Sequence, residues 1–416
     1  MNQKVLLINP NRFKSPPVPP IGIEYVASSL EERGHETAIL DLCFAGEVTA
    51  EVDSAISAFR PDIAGITVRN IDSVLFHTNE FFLDDIRALI THIKKAHGLR
   101  VMVGGAGVTA FPEGIREYLG ADYLVSGPGE YAVHEVLAYC GSGMQGQKVF
   151  QGRYPVSLPC RRRPYDLAYD QYSRNGGVAG FETHKGCSSS CVYCLEACSK
   201  VAFKKPEDVI REIKTFVDAG LRHFHLCDPE FNESYEYAID FCTALKKAGM
   251  DIQWAAYMKP ANFDAKLFRL MKETGVYLVT VTVDSWKKCP MYWVDVEKFL
   301  FSAKSCGMKV AVDFLTGFPY EKETEILEYL DTLRRPLPDS IGVNTYIRLY
   351  KALRITDIVM SDRQLHPYLI DTERDPTCIQ PVFYNQIPTG RLKELLRGDP
   401  IFRIEGIEQS VNYSRI

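Results

Sequence analysis

Two series of alternating strand and helix patterns cover most of the 416 residues and constrain the fold more than any other feature. In each series, short apolar runs typical of strands buried on both faces are followed by segments with apolar residues at helical spacing. The first series predicts strands at 5–9, 37–42, 63–68, 100–103 and 123–126, and helices at 21–33, 52–59, 84–95 and 130–139. This alternation predicts a doubly wound parallel α/β sheet, which binds ligands beyond the carboxyl ends of its strands.

The second series begins at residue 181 and predicts another α/β unit. Its strands are expected at 181–185, 223–227, 252–257, 276–283, 310–315 and 341–347, and its helices at 206–219, 235–247, 265–273, 296–305 and 322–333. Little periodicity is present before and after this series. We therefore divide the chain into an N-terminal domain (1–141), a linker (142–180), a second domain (181–350) and a C-terminal segment (351–416).

Composition excludes several classes of protein. With 48 Lys and Arg against 53 Asp and Glu, the net charge of −5 argues against a dedicated nucleic-acid binder. No apolar run reaches transmembrane length, and a strand pattern begins at Val5, so we expect neither a membrane segment nor a signal peptide. The twelve cysteines show no paired framework, which favours a reducing cytoplasm.

Three closely spaced cysteines, Cys187, Cys191 and Cys194, follow the first strand of the second series. A loop of this spacing can present three thiolates to one point, as soft metals and iron–sulfur clusters require. Three local ligands leave one iron of a four-iron cubane open unless a distant residue fills it. A zinc knuckle and three unrelated core thiols are the alternatives. Zinc normally takes a fourth protein ligand at patterned spacing, and no second Cys/His pair follows.

The Cys-x-x-x-Cys-x-x-Cys loop, with an aromatic residue before its last cysteine, resembles the signature of the radical S-adenosylmethionine (SAM) superfamily. The resemblance implies a partial (β/α)6 barrel of TIM type and a [4Fe–4S] cluster whose open iron is chelated by SAM. It also implies a low-potential electron donor, and an oxygen-labile cluster favours an anaerobic host. Cys198 lies near the loop at a spacing that a further ligand could have; we interpret it as a packed thiol on a helix after the loop.

The strand ends of the second series resemble the SAM-binding segments of this superfamily. After the second strand, Asp228, Glu230 and Asn232 form an Asp-x-Glu-Phe-Asn motif that resembles the one binding the SAM ammonium group through charge-assisted hydrogen bonds. A capped helix start explains the same residues. The further SAM contacts that the resemblance implies are Tyr193, Tyr257, Asp284, Ser285, Gly317, Pro319 and Arg348.

Three of these further contacts have alternatives. Tyr257 could equally be a packed aromatic residue, and a strand-to-helix turn explains Gly317 fully. Arg348 resembles the arginine of the Arg-x-Tyr end of the family, but this chain lacks the Pro-Gly that often follows there.

The glycine-rich strand ends of the first series resemble the cobalamin-binding domain that precedes many radical SAM domains. The resemblance rests on Asn9-Pro10, the Pro-Pro-Ile-Gly-Ile-Glu-Tyr run from Pro19, Val103-Gly104-Gly105 and the stretch 120–130. It implies a flavodoxin-like fold that holds cobalamin at Asn9, Pro10, Thr67, Val68, Arg69, Asn70, Gly104, Gly105, Ala106, Ser126, Gly127, Gly129 and Glu130. The absence of G-x-G-x-x-G after the first strand argues against a nicotinamide site.

None of the nine histidines lies in the Asp-x-His-x-x-Gly motif that supplies a lower axial ligand to cobalt in the wider family. We therefore predict base-off cobalamin without a histidine on cobalt. The alternative is a domain that has kept the fold without the cofactor.

The linker and the C-terminal segment contain three further candidates. The run Arg161-Arg162-Arg163 could grip the cobalamin tail or the SAM carboxylate, or it could be a solvated linker. The C-terminal segment is expected to pack over the barrel mouth, where Phe383 and Tyr384 could contact substrate or pack against the core. Cys378 is interpreted as a structural thiol, although radical enzymes sometimes use such a residue.

Together, these resemblances imply a cobalamin-dependent radical SAM C-methyltransferase. In such an enzyme a 5′-deoxyadenosyl radical abstracts hydrogen from an unactivated carbon and methylcobalamin donates the methyl group, with the substrate clamped between the two domains. The compact C-terminal segment resembles that of archaeal enzymes that methylate methyl-coenzyme M reductase after translation, for instance at a glutamine; a small molecule is the other substrate class. A non-methylating radical rearrangement and a cobalamin or cluster sensor or electron-transfer module are the alternatives.

Overall fold

The structure, a computed structural model, describes residues 2–142, 144–153, 162–370 and 379–407. The first part of the chain contains β1 (Lys4–Asn9), α1 (Ile21–Glu32), β2 (Glu36–Asp41), α2 (Val48–Phe59), β3 (Ile63–Thr67), α3 (Leu83–His97), β4 (Arg100–Gly104), α4 (Pro112–Leu119), β5 (Tyr123–Ser126), α5 (Gly129–Ser142), β6 (Val149–Gln151) and α6 (Tyr169–Arg174). Within the described ranges, no helix is both long enough and apolar enough to cross a membrane.

The second part continues with β7 (Ala179–Phe181), β8 (His184–Lys185), β9 (Ala202–Phe203), α7 (Pro206–Asp218), β10 (His223–Leu226), α8 (Tyr235–Ala248), β11 (Gln253–Met258), α9 (Ala265–Glu273), β12 (Val276–Asp284), α10 (Pro290–Ser305), β13 (Val310–Leu315), α11 (Glu323–Arg334) and β14 (Ser340–Asn344). The second domain ends with β15 (Ile347–Leu349). The C-terminal segment adds α12 (Arg354–Ser361), β16 (Leu369–Ile370), β17 (Val382–Tyr384), α13 (Thr389–Leu396) and β18 (Phe402–Ile404).

The N-terminal sheet has the parallel order β2-β1-β3-β4-β5-β6. Alternate residues of β1 pack into opposite layers: Leu6 and Ile8 join the core under α2, α3 and α4, whereas Val5 and Leu7 join the core under α1 and α5. This two-sided burial explains the continuous apolar run. The order begins 2-1-3-4-5, so the predicted flavodoxin-like sheet is confirmed. β6 lies within the predicted linker; its three residues are too few to show a period.

The second sheet has the order β18-β14-β13-β12-β11-β10-β7, with β7 and β18 at its two edges. All of these strands run parallel, and helices α7 to α11 pack on them around one large apolar core. The predicted incomplete α/β barrel is therefore confirmed. β18 comes from the C-terminal segment and extends the six predicted strands by one, because Phe402 to Ile404 pair with Ile341 to Val343.

The first predicted strand of the second series is split in two. β7 belongs to the second sheet, but β8 pairs antiparallel with β9 in a separate ribbon. The carboxylate of Asp228 accepts the backbone N–H of Thr183 at 2.7 Å and that of His184 at 3.3 Å, which diverts these donors from the sheet. Asp228 thereby fixes the point at which the chain leaves the barrel for the cysteine loop.

A buried ionic cluster joins the two domains. Arg162 donates from Nη1 to Glu24 of α1 at 2.8 Å and from Nε to Glu212 of α7 at 3.0 Å; its side chain is 1% exposed. It also donates to the carbonyl of Gly180, and the hydroxyl of Tyr169 donates to Glu24 at 2.7 Å.

Since one guanidinium faces two carboxyls, one of them can keep its proton. Burial raises the pKa of Glu24 to about 7, although Arg162 and Tyr169 act in the opposite direction.

The Glu24→Gln variant is expected to change how stability depends on pH. A carboxyl whose pKa is higher in the folded than in the unfolded chain stabilises the fold below the unfolded value, and this contribution is lost as pH rises from about 4.5 to about 7. The free energy of unfolding is expected to fall by on the order of 3 kcal/mol across that interval in wild type. The glutamine variant cannot titrate at this position and should not show this fall. Thermal unfolding midpoints measured across this interval test the prediction.

Glu36→Gln is the matched control, because Glu36 is an exposed carboxylate paired with Lys4 at 2.8 Å. It should retain the wild-type pH profile. An unchanged profile in Glu24→Gln would show that Glu24 is ionised in the folded protein throughout.

Candidate functional site

The cysteine loop runs from β8 to β9 and is closed at its base. The N–H of Ser199 donates to the carbonyl of Cys187 at 3.0 Å, and the Ser199 hydroxyl accepts the N–H of Cys187 at 2.8 Å. Gly186 has a φ of +86°, and a Cβ there would lie 2.1 Å from the carbonyl oxygen of Lys200. Only glycine fits this close approach. All three predicted cluster ligands therefore lie in one loop whose ends are held together.

The spacing of the loop sulfurs distinguishes a cluster from a single ion. A tetrahedral zinc ion bound at about 2.3 Å would hold its sulfur ligands roughly 3.8 Å apart. In the described part of the chain, the three loop sulfurs do not form a group whose members all lie within 4.8 Å of one another. The loop is thus too wide for one zinc ion without rearrangement. A cubane does not require the sulfurs to converge on one ion, because separate cysteines bind separate irons.

Cys198 differs from its predicted environment. It is exposed, has a φ of +56° and donates its N–H to the carbonyl of Ser189 at 2.8 Å. The interpretation as a packed thiol on a helix is therefore wrong, because the chain continues in turns as far as β9. Cys378 and Arg161 lie outside the described residues.

The Asp-x-Glu-Phe-Asn segment follows β10 beside the loop. Asp228 is 4% exposed and pairs with Nδ1 of His184 at 3.0 Å. Burial alone would lower the pKa of His184, but the carboxylate of Asp228 more than offsets this and leaves it raised. Burial raises the pKa of Glu230 to about 7, and its Oε2 has no hydrogen-bond partner. Glu230 is therefore the member of this motif that has an oxygen available for a ligand.

Asn232 holds two strand ends together through hydrogen bonds of its side chain. Its side-chain amide donates to the carbonyls of Lys259 and Ala261, and its oxygen accepts the N–H of Lys259 at 3.0 Å. Asn232 is fully buried. It joins the ends of β10 and β11, and a direct contact with SAM would require breaking these bonds.

A second group of predicted SAM contacts lies at the ends of β12 and β13. The hydroxyl of Tyr193 donates to Asp284 at 3.2 Å, which connects the cysteine loop to β12. Ser285 is fully buried and donates to Glu321, a residue that sequence reasoning missed. Glu321 also accepts the N–H of Gly317 at 2.6 Å. The sequence shows only an acidic residue two positions after the Gly-x-Pro segment, and its burial and its partner Ser285 are evident from the structure alone.

Gly317 and Pro319 form a buried turn. Gly317 has a φ of +87°, and a Cβ there would lie 2.4 Å from the carbonyl oxygen of Thr345. Pro319 is buried beside it. The requirement for glycine is thus explained by the close approach of two strand ends, and the predicted adenine contact stays a prediction.

Arg348 forms an ion pair with the N-terminal domain. Its Nε donates to Asp72 at 2.8 Å, and both side chains are almost fully buried. The remaining guanidinium nitrogens donate to the carbonyls of Leu349 and Ile379, and the ring of Tyr350 lies 4.3 Å from its Cζ. Every nitrogen of the guanidinium already has a protein acceptor, which leaves none aimed at the cysteine loop. The predicted SAM contact would need one of these bonds to be exchanged.

The predicted substrate residues are buried in the small antiparallel sheet β15-β17-β16. Phe383 is 4% exposed and packs edge-on against Phe76 of the N-terminal domain, with ring centroids 5.5 Å apart. Tyr384 is fully buried and donates to Gln386 at 3.0 Å. In this structure both side chains pack against other residues of the protein, as the alternative prediction had it. Contact with substrate stays a prediction.

A cavity of about 1020 Å³ lies between the carboxyl ends of the two sheets. Predicted cobalamin contacts that line it are Asn9, Thr67, Arg69, Asn70, Gly104, Gly105, Ala106, Ser126, Gly127, Gly129 and Glu130. From the second domain it is lined by residues flanking the cysteine loop and by strand ends: Glu182, His184, Lys185, Gly186, Leu195, Glu196, Ser199, His225, Cys227, Asp228, Pro229, Tyr257 and Tyr350. Tyr257 is thus the other predicted SAM contact, besides Asp228, that faces this space.

Two predicted cobalamin contacts, Pro10 and Val68, do not line the cavity. Val68 is fully buried in the core under α2, α3 and α4, and its carbonyl accepts the N–H of Gly107 at 2.9 Å. The histidines of the cavity wall, His184 and His225, both belong to the second domain. In the described lining, the N-terminal sheet offers no histidine to a cofactor lying over its strand ends.

The Gly104→Leu variant is expected to lose cobalamin and keep its fold. A Cβ at Gly104 would meet only Val125, at 3.7 Å or more, so a side chain fits the strand and would occupy the cavity. We expect cobalamin retention to fall by at least about tenfold, whereas the iron content stays unchanged. Gly46→Leu is the control, since Gly46 has open space around its Cβ position and does not line the cavity. Full cobalamin retention in Gly104→Leu would contradict a cobalamin-binding site at these strand ends.

Comparison with known proteins agrees with this arrangement. Residues 15–137 match the B12 binding domain, and residues 181–333 match the Radical SAM superfamily. The chain is 23% identical to the Tryptophan 2-C-methyltransferase of Streptomyces laurentii, over 83% of this chain and 72% of that protein. It is 26% identical to an uncharacterized methyltransferase of Pyrococcus horikoshii, over 78% and 76% of the two chains.

A solved structure shares the whole fold. The radical SAM methyltransferase TsrM from Kitasatospora setae, with cobalamin and a [4Fe–4S] cluster bound, superposes with a TM-score of 0.83 at 20% identity, covering 98% of this chain and 94% of that one. The two domain matches support cobalamin, a [4Fe–4S] cluster and SAM as cofactors. In domain order, sheet topology and cysteine spacing, the chain belongs to the radical SAM proteins that carry an N-terminal B12-binding domain.

Proposed function

We propose that the protein is a cobalamin-dependent radical SAM methyltransferase that acts on an unactivated carbon. The observation that carries this proposal is the cavity that the two sheets share at the carboxyl ends of their strands. Glycines at the N-terminal strand ends and residues flanking the cysteine loop line the same space. Two cofactors that act on one carbon must face each other across a site of this kind. Similarity to proteins named as methyltransferases supports the same function.

Each domain would hold its own cofactors. Cys187, Cys191 and Cys194 would bind the cluster, and the strand ends around Gly104 and Gly127 would bind cobalamin without a histidine on cobalt. When bound, these cofactors supply one-electron cleavage of SAM, hydrogen abstraction from carbon and a transferable methyl group. The chain contributes geometry, since it places the strand ends of one domain and the residues beside the cysteine loop of the other around one cavity.

Glu230 is proposed to bind the ammonium group of SAM. Its Oε2 is buried without a partner, and burial raises its pKa to about 7. A cation placed there would form a charge-assisted hydrogen bond and favour the ionised carboxylate. Tyr193 and Asp284 would hold the cysteine loop against β12 while SAM binds.

The substrate is proposed to be either a residue of a protein, such as a glutamine of methyl-coenzyme M reductase, or a small molecule. It would be clamped between the two domains. All ten cysteines in the described ranges are free thiols, which supports a reducing cytoplasm and a low-potential electron donor as partner. The net charge of −5 gives no support to a nucleic-acid substrate.

Product analysis tests the proposal. Anaerobically reconstituted protein with about four irons and one cobalt per chain is given reductant, SAM with a deuterated methyl group, and either tryptophan or a glutamine-containing peptide of the reductase. We expect 5′-deoxyadenosine and S-adenosylhomocysteine in equal amounts, together with a deuterated methyl group on carbon of one substrate. Deoxyadenosine alone would indicate a non-methylating radical reaction. Tight SAM binding with neither product would indicate a sensor or an electron-transfer module.

A further inference from the structure

Two histidines and an aspartate from neighbouring helices meet on the outer side of the N-terminal domain. α2 contributes Asp53, and α3 contributes His92 and His97. Oδ1 of Asp53 lies 2.7 Å from Nε2 of His92 and 2.6 Å from Nε2 of His97. The three ligand-type atoms all lie within 4.8 Å of one another. None of these residues lines the cavity, so this triad is separate from the cofactor sites.

Packing beneath the triad fixes the two helices. Val52 and Ile56 of α2 and Ile93 of α3 belong to the same buried core. His97 is the last residue of α3, and the chain then turns at Gly98 with a φ of +64°. The triad therefore rests on two rigid elements, and only side-chain rotation is needed to adjust its three ligand atoms.

The donor set suits zinc. Imidazole nitrogen and carboxylate oxygen bind Zn²⁺ at about 2.0–2.2 Å, and three such protein ligands leave a coordination position for water. Sulfur is absent from the triad, which distinguishes it from the cysteine loop. The last carbonyls of α3 carry partial negative charge, which favours a cation next to His97.

The present distances need little change to admit an ion. Tetrahedral zinc would place its ligand atoms roughly 3.3 Å apart, about 0.6 Å more than the 2.7 Å between Asp53 and His92. The side chains of Asp53, His92 and His97 are 44%, 28% and 19% exposed. Partly exposed side chains can move by this amount without displacing the core, and water can reach the open position.

We propose that Asp53, His92 and His97 form a site for a zinc-class divalent cation that ties α2 to α3. The site does not depend on cobalamin, the cluster or the proposed methyl transfer. Bound metal would stabilise the folded N-terminal domain, because the unfolded chain does not hold the three ligands together.

Zinc content after equilibrium dialysis tests the site. The holoprotein, with its cluster and cobalamin in place, is dialysed against buffered free zinc in the micromolar range. Zinc per chain is then measured by mass spectrometry for wild type, the His92→Gln/His97→Gln double variant, Asp53→Asn and His223→Gln. His223 is an exposed histidine outside the triad and serves as the control. Thermal unfolding is recorded with and without zinc.

We expect wild type and His223→Gln to retain one more zinc per chain than the double variant, with at least about tenfold weaker binding in Asp53→Asn. Zinc should raise the unfolding temperature of wild type and not that of the double variant. Equal zinc in wild type and the double variant would overturn the proposal. So would a double variant that is less stable at every zinc concentration by the same amount, since the triad would then be a hydrogen-bonded ion pair only.

Discussion

The Cys191→Ser variant is expected to lose its iron and, with it, every product derived from SAM. The loop provides three sulfur ligands, and the bonds between Ser199 and Cys187 hold its two ends together. Loss of the outer partners of metal ligands already costs about 10–100-fold. Loss of a ligand should therefore reduce turnover by more than about 100-fold. Iron analysis, the visible spectrum and 5′-deoxyadenosine production measure the effect.

Cys198→Ser is the matched control for this variant. Cys198 follows the loop closely but lies outside the Cys-x-x-x-Cys-x-x-Cys spacing, and its left-handed backbone does not depend on the thiol. We expect full iron content and full turnover. Loss of iron in Cys198→Ser, or its retention in Cys191→Ser, would show that the ligand set is assigned incorrectly.

The Arg162→Met variant is expected to destabilise the protein by about 3–5 kcal/mol, because removing one partner of a buried ion pair leaves uncompensated charge. Arg162 pairs with both Glu24 and Glu212, and its guanidinium packs over Tyr25 and Phe216 at 5.0 and 4.7 Å. The contacts join α1, the linker and α7. Chemical unfolding of the reconstituted protein should reveal the loss, and weaker cobalamin retention should accompany it.

Arg163→Met provides the control from the adjacent residue. Arg163 is 45% exposed, and its pairs with Glu31 and Asp166 lie at the surface, where such pairs contribute about 1 kcal/mol or less. Adding Glu24→Gln and Glu212→Gln to Arg162→Met should recover part of the lost stability, because no ionised carboxylate is then left buried. Equal stability of the Arg162 and Arg163 variants would contradict the role of the cluster.

Local patterns predicted most of the scaffold. The apolar run of β1 and the glycine at position 104 depend on residues close to them in the sequence. Strand positions and the ligand-binding edge of the sheet could therefore be predicted from the sequence. The cysteine loop could also be predicted, because all its candidate ligands lie within eight residues. The strands β6 and β18 were not predicted. Each has three residues, too few to show a period, and each is recognised only by its pairing with β5 or β14.

Pairings between distant residues could not be predicted. Arg348 and Asp72 are 276 residues apart, and nothing near Arg348 in the sequence indicates that it pairs with the N-terminal domain. Arg162 lay in an arginine run that suggested either a solvated linker or a cofactor contact, and its burial depends on α1 and α7 together. Glu321 was missed for a related reason, since its partner Ser285 lies 36 residues away.

The two buried arginine pairs bear on how the protein acquires its cofactors during biogenesis. Arg162 and Arg348 each connect the N-terminal domain to later parts of the chain. Opening the domains like a hinge would break both buried pairs and also separate Tyr25 from Phe216, whose rings pack against the guanidinium of Arg162, so the folded protein is expected to open rarely. Cobalamin is therefore expected to be inserted before folding is complete, and finished apoprotein should take it up slowly, at a rate that Arg162→Met accelerates.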